Sequence, residues 1–356
     1  MKILTITFYR SLNYGAMLQA YALQQALLSC GYDTAVIDYC RIITVKKSLK
    51  QRVRQFALNS LERMHLRERK KFKKRFNDFL NDNIKLTDTY CDYEQLVKAP
   101  PQADMYLIGS DQVWNITYRY RPEFFADFAP QNVKVASYAA SVGRYNYNQA
   151  QLEQFENGLA KVHPISVREK SAKDFIEEKF NRKASVHLDP VFLLDKEQWS
   201  KIADERLKDE KYILCFALTR SELMQKAAKK LKKETGYKVV SISPTAVNFL
   251  HGDYNVFDAG PAQFLSYLKN AEYVLTNSFH GTAFSIIFEK DFYNFTSDFY
   301  SSRTTNILQL LDLLQRIPKN LDDVSLKRVD YSKVLPKKQQ LVEEAYSYLN
   351  TFEESI

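Results

Sequence analysis

Wherever an apolar run of this chain ends, small polar or charged side chains tend to follow. Asn13 and Gly15 follow the run at 2–8, Ser110 and Asp111 follow "YLIG", and Ser141 and Arg144 follow "SYAA". Arg168 and Glu169 follow "SV", Asp189 follows "VHL", and Arg220 follows "FALT". Asn277, Ser278 and His280 follow "YVLT", in the stretch Ser278-Phe279-His280-Gly281 between two apolar runs. Arginine forks match carboxylate and phosphate, and a histidine titrating near neutrality can give or take a proton. The set therefore suits an anionic substrate and a proton transfer. Bland roles compete at each position. Asn13 and Gly15 serve equally as a strand-to-helix turn, Asp111 as a cap, Asp189 before Pro190 as a turn residue, Arg168–Glu169 as a surface pair and His280 as a capping or core histidine. His65, His163, His187 and His251 have weaker contexts and read as structural.

Other chemistries lack their signatures. There is no H-E-x-x-H, no D-x-D and no P-loop, so no metal site is expected, and "SLNYGA" lacks dinucleotide spacing. The four cysteines, Cys30, Cys40, Cys91 and Cys215, lie far apart without a C-x-x-C pair, which argues against zinc, iron–sulfur or a disulfide framework. No apolar run reaches transmembrane length, and "MKILTITFYRS" enters a strand rather than a secretory leader. A cytoplasmic protein is expected.

Positioning such residues requires a regular scaffold, and the pattern supplies one. Residues 2–8 read as a buried strand, 17–31 as a helix closed by Gly31, and 33–39 as a second strand, which makes a βαβ unit. Strands follow at 103–115, 134–141 and 165–169, with a helix at 171–180 opened by Ser171 and extended chain at 185–194. Alternation restarts at residue 212 and continues through a helix opened by Pro261 to a C-terminal helix bearing Leu341, Ala345, Tyr348 and Phe352. The 356 residues are ample for two domains. The expected class is α/β, two Rossmann-like domains facing across a cleft, with ligands at the carboxyl ends of strands.

The net charge of +9 is concentrated. From Arg41 to Arg75 the chain holds fourteen Lys/Arg and two acids, a local charge of +12. Subtracting that +12 from the total of +9 leaves about −3 elsewhere. Val53, Phe56, Leu61 and Met64 form one helical stripe in this insert, and Phe72, Phe76 and Phe79 another. Surface helices packed on the core fit this pattern. So does a basic amphipathic contact with anionic membrane through 41–85. A nucleic-acid partner is not expected, because no recognised binding motif accompanies the charge.

Six segments in order, "SLNYGAMLQAYAL", "IGSDQVWN", "SYAAS", "SVREKSA", "LDPVFLL" and "TNSFHGTAFSIIF", resemble the polysaccharide pyruvyl transferase family over roughly residues 1–315. The resemblance implies a fold similar to the GT-B glycosyltransferases. It implies domains at 1–165 (acceptor side, with a basic helical insert at 41–100) and 166–335 (donor side), then a C-terminal helix at 336–356. It further implies transfer of the enolpyruvyl unit of phosphoenolpyruvate to a galactose or N-acetylhexosamine residue of a capsule or exopolysaccharide precursor. A pyruvate ketal forms and phosphate leaves, with no metal or organic cofactor. The acceptor is left open between a finished polymer and an undecaprenyl-pyrophosphate-linked oligosaccharide, the latter placing the protein at the inner face of the cell membrane.

The family's S/T-x-R-x-H-G-like motif makes His280 the expected acid/base, but Ser278 stands where its arginine belongs. Arg168, with Arg220 or Arg303 and less readily Lys290, is expected to bind the donor beside Asn277 and Ser278. Asn13, Gly15, Ser110, Asp111 and Gln112 are expected on the acceptor side. A GT-B enzyme using a nucleotide-sugar donor is the alternative, as is a family member that has lost activity or changed donor.

Overall fold

The computed structural model of the chain describes residues 1–40, 66–117, 119–205, 210–243, 252–295 and 301–354. Two five-stranded parallel sheets organise it. The first contains β1 (Lys2–Ile6), β2 (Asp33–Tyr39), β3 (Leu86–Tyr90), β4 (Met105–Ile108) and β5 (Lys134–Ser137), in the order β3-β2-β1-β4-β5. Later in the chain come β6 (Ile165–Val167) and β7 (Ala184–Val186), which pair with each other. The second sheet contains β8 (Tyr212–Phe216), β9 (Lys238–Ile242), β10 (Tyr254–Val256), β11 (Tyr273–Thr276) and β12 (Asp291–Asn294), in the order β10-β9-β8-β11-β12. Both orders are 3-2-1-4-5, the Rossmann arrangement, in which the switch of direction beside the first strand opens a crevice. The central strands are buried on both faces, hence their unbroken apolar runs.

Helix α1 (Tyr14–Ser29) is buried almost all round, from Tyr14 to Leu27. A helix covered on nearly every side needs no polar stripe. Helix α2 (Leu66–Asn83) carries the second half of the basic insert. Its Phe72, Phe76, Phe79 and Leu80 are buried in one cluster with Tyr14, Phe216 and Phe264, so they pack on protein rather than face lipid. Tyr14 stacks on Phe264 with ring centroids 4.3 Å apart, and its hydroxyl donates to the Ala259 carbonyl at 2.8 Å. Arg75 on α2 pairs with Asp258 at 3.0 Å. The seam between the two halves is thus built by α1, α2 and the chain leading into α8, introduced below. The stripe Val53, Phe56, Leu61 and Met64 lies outside the described residues.

Other expectations shift. The supposed insert 41–100 also holds β3 and α3 (Tyr93–Lys98), which are regular parts of the first half. Helix α4 (Gln149–Leu159) precedes β6, and α5 (Lys170–Phe180) begins at Lys170 with Glu169 at the N-cap position, making no side-chain cap bond, rather than being opened by Ser171. β6 and β7 belong with the first half: Ala140 bridges to Val167, and Ile165, Phe175, Ile176 and Ala184 share a core with Trp114, Phe125 and Val135. We therefore place the division after Val186 rather than at 165/166. Beyond it come α6 (Lys196–Ile202), α7 (Glu222–Thr235), α8 (Pro261–Asn270), α9 (Phe279–Ile287) and α10 (Ser301–Leu310). The last helix, α11 (Tyr331–Glu354), returns to the first half. Its Ala345, Leu349 and Phe352 pack with Ile3, Leu23, Leu27 and Tyr138.

Candidate active site

The carboxyl ends of β4, β8 and β11 meet the amino ends of α1 and α9 at a cavity of about 390 Å³. Asn13, Gly15, Asp111 and Gln112 line it from the first half, and Thr219, Asn277, Ser278, His280 and Arg303 from the second. Six of the residues expected at strand ends, Asn13, Gly15, Asp111, Asn277, Ser278 and His280, thus meet in one place, together with Gln112 and Arg303, which the family resemblance implies.

Two helix starts shape the site. Asn13 caps α1, its Oδ1 accepting from the Gly15 N–H at 2.9 Å. Ser278 caps α9, its Oγ accepting from the Gly281 N–H at 3.3 Å. Helix starts carry partial positive charge and favour anions. Gly281 packs where a β-carbon would sit 2.3 Å from Thr276 Oγ1, so only glycine lets the first turn of α9 lie on β11. Gly15 is tighter still against His280: a β-carbon there would lie 1.9 Å from Nδ1.

His280 is 8% exposed. Burial pushes its pKa below the ordinary histidine value, while Asp189 and Asp111 pull it back up and Arg168 and Arg303 reinforce the fall. A buried neutral imidazole close to two carboxylates can accept a proton and return it. Asp111 itself sits at φ 71, a left-handed conformation that costs a non-glycine residue energy, and the strain is stored at the site.

Among the described residues lining the cavity, Arg303 is the cation. Burial, then Arg168, lowers its pKa. With the Gln112 amide oxygen turned toward it, that oxygen accepts from Nη1 at 3.0 Å and Nη2 at 2.8 Å. This contact spans the two halves.

Arg168 does not line the cavity, which corrects its expected role as a donor clamp. It is 4% exposed, and its guanidinium lies 4.7 Å from the Phe279 ring. Nη1 donates to Asp189 at 2.5 Å and Nε to Glu169 at 3.1 Å. Burial opposes its charge, but Glu169, Asp189 and Asp111 outweigh that and raise its pKa. Its charge is already matched by carboxylates inside the fold. Arg220 is exposed after β8 and does not line the cavity either, while Lys290 precedes β12, at the amino end of the strand and so away from the carboxyl ends that form the cavity. Ser110 is buried behind the site, where its hydroxyl donates to Asp189 at 3.0 Å. Asn277 is spent on bracing: it accepts from the Leu218 N–H at 2.7 Å and donates to Thr219 O at 2.7 Å. The sequence reading missed Leu218 and Thr219, which follow β8 and could have been found by the same strand-end rule.

A second cavity of about 430 Å³ opens on the first half and shares Leu12 with the first. Phe8, Tyr9, Arg10, Arg121 and Phe124 line it, with Arg10 held by Asp38 at 2.6 Å. Among the described residues, no helix is long and apolar enough to cross a membrane, and no cluster of three His, Cys, Asp or Glu side chains could hold a metal ion.

In structure, the chain is similar to a putative UDP-N-acetylglucosamine 2-epimerase from Listeria monocytogenes at TM-score 0.53. The two are 10% identical, over 98% of this chain and 90% of that one. Another UDP-N-acetylglucosamine 2-epimerase aligns at TM-score 0.50 and 14% identity, over 98% and 96% of the two chains. These likenesses show the fold, the GT-B-type pair of Rossmann domains. No curated protein matches the chain in sequence. A family model described as polysaccharide pyruvyl transferase matches residues 13–298, from the cap of α1 past the end of β12. That span contains His280, Gly15 and most of the cavity lining, and the chain therefore belongs to the polysaccharide pyruvyl transferase family, as a transferase.

Proposed function

We propose that the chain transfers the enolpyruvyl unit of phosphoenolpyruvate to a sugar of a bacterial surface polysaccharide precursor, without a metal or organic cofactor. The observation that carries this reading is the meeting of His280 and Arg303 with two helix starts in one cavity. The donor brings a carboxylate and a phosphate. Arg303 and the starts of α1 and α9 offer positive potential for them. In the reaction, carbon 3 of the donor gains a proton and a sugar hydroxyl oxygen bonds to carbon 2. The carbon 2–phosphate oxygen bond then breaks, and a second hydroxyl closes the ketal. The two hydroxyl protons balance the one gained at carbon 3 and the one leaving with phosphate. His280 is the group placed to move them, and orientation between the two halves supplies much of the remaining rate.

The acceptor sugar would enter beside Asn13, Asp111 and Gln112, and its next residues would run into the cavity floored by Phe8 and Phe124. A lipid-pyrophosphate-linked acceptor would bring the protein to the cytoplasmic face of the membrane. Arg67, Lys70, Lys71, Lys73 and Lys74 on the exposed side of α2 would then meet anionic headgroups. Because the Phe72 stripe is buried, that contact is electrostatic.

The test is phosphate release from phosphoenolpyruvate in the presence of lipid-linked galactosides and N-acetylhexosaminides. Release that depends on acceptor and is lost in His280→Ala supports the reading. Nucleotide release from a sugar nucleotide, with no phosphate release from phosphoenolpyruvate, overturns it in favour of a glycosyltransferase.

A further inference from the structure

Behind the cavity lies a carboxylate fixed from several directions. Asp189 is 1% exposed, and its Oδ1 accepts from the Val191 N–H at 3.2 Å. Its Oδ2 accepts from Ser110 Oγ at 3.0 Å and Arg168 Nη1 at 2.5 Å. That same Oδ2 lies 3.8 Å from His280 Nε2, beyond hydrogen-bond length, and Nε2 is a buried nitrogen with no hydrogen-bond partner. The opposite ring nitrogen, Nδ1, faces Gly15 at the start of α1. The two nitrogens of His280 therefore face different surroundings, one a fixed carboxylate and the other the start of a helix at the cavity.

We infer that Asp189 is the positioning residue for His280, holding Nε2 as the N–H nitrogen and leaving Nδ1 to take and return the proton. In a neutral imidazole the nitrogen that faces an acceptor such as a carboxylate keeps the proton and donates it, which leaves the other nitrogen free to accept one. A catalytic hydrogen bond that is long without substrate commonly tightens in the reacting complex. The charged groups facing His280 are Asp189, Asp111, Arg168 and Arg303. Arg168 is shared between Asp189 and Glu169, so this buried cluster pairs two carboxylates with one guanidinium. It is left able to stabilise an imidazolium when His280 gains a proton. Arg168 thus acts at one remove, by keeping the Asp189 carboxylate in place.

The inference rests on His280 being the acid/base of the proposed reaction, yet its first test needs no substrate. Nitrogen-15 NMR of the full-length protein labelled at histidine, with His280 assigned by loss of its signal in His280→Gln, should show the neutral ring protonated at Nε2. Protonation at Nδ1 instead overturns the inference. The second test is Asp189→Asn, which should lower the pKa of His280 and move the His280 limb of the pH–rate profile to lower pH. It should also cut kcat about 10²-fold while KM for phosphoenolpyruvate stays within about twofold, with partial recovery in Asp189→Glu. An unmoved limb with unchanged kcat overturns it. If Asp189→Asn does not fold, the tautomer decides. Should phosphoenolpyruvate prove not to be the donor, the tautomer measurement still stands, so the two readings fail separately.

Discussion

Gly15 lies so close to His280 that a β-carbon on it would sit 1.9 Å from the imidazole Nδ1. The two residues belong to different halves of the molecule, at the starts of α1 and α9. The glycine therefore sets the position of the imidazole, and the pair records how closely the halves are brought together. Gly15→Ala should displace the ring by an ångström or more, and such a displacement costs about 10²-fold in rate. The expected outcome is that loss in kcat with a folded, cooperatively melting protein. A variant that turned over at close to the parent rate would mean the ring is free to move aside without consequence.

Arg303 and Arg168 should fail in different ways. Arg303 lines the cavity and meets Gln112 across the cleft, so Arg303→Ala should raise KM for phosphoenolpyruvate about 10-fold or more with little change in melting temperature. Arg168 is locked between Asp189 and Glu169. Arg168→Ala leaves two buried carboxylates without their partner, and breaking such a pair costs about 3–5 kcal/mol of stability. Steady-state kinetics and urea unfolding of both variants check this. Equal effects on KM would restore Arg168 as a donor ligand.

The strand ends were legible because a parallel sheet buries its strands on both faces, so each strand is a short apolar run with a visible stop. That is why Asn13, Asp111, Asn277 and His280 could be named before their meeting place was known. β3 and β10 were not legible. "LTDTY" is a half-exposed edge strand rich in polar residues, and "YNV" has only three residues. Arg168 reads the same in sequence whether it is exposed or buried, since its fate depends on Asp189, twenty-one positions away. The Phe72–Phe79 stripe marks an amphipathic helix, but the period cannot say whether protein or lipid covers it.

That ambiguity sets the third prediction. Combined Lys70→Glu, Lys71→Glu, Lys73→Glu and Lys74→Glu should abolish salt-sensitive sedimentation with vesicles containing phosphatidylserine, at roughly 1 kcal/mol per charge removed. Stability should change little, because these side chains are exposed. Phe76→Ala should do the reverse, costing about 3–5 kcal/mol in the seam between the halves while leaving vesicle binding of the folded protein intact. Loss of binding in Phe76→Ala alone would show that the stripe reaches lipid after all.

Acid stability should trace to His187, outside the active site. Its ring lies 4.4 Å from the Tyr348 ring and 6.0 Å from that of Tyr138, and Nδ1 is 2.7 Å from Ser166 Oγ. Burial pushes its pKa down from 6.5 to about 4. The unfolded chain therefore binds a proton more readily than the folded one between those values. The stabilising contribution of the neutral ring is whole above about pH 6.5 and drains as pH falls toward about 4, at about 1.4 kcal/mol for each unit of difference. Urea unfolding of the parent at about pH 7.5 and about pH 4.5 should differ by roughly 2–3 kcal/mol more than it does in His187→Gln, which carries no titrating ring. Parallel losses in both proteins would assign the acid sensitivity to other groups. Tyr348 lies on α11, so the loss should begin where that helix clasps the first half. Hydrogen exchange at about pH 4.5 should therefore open the 345–352 segment before the strands of the second sheet.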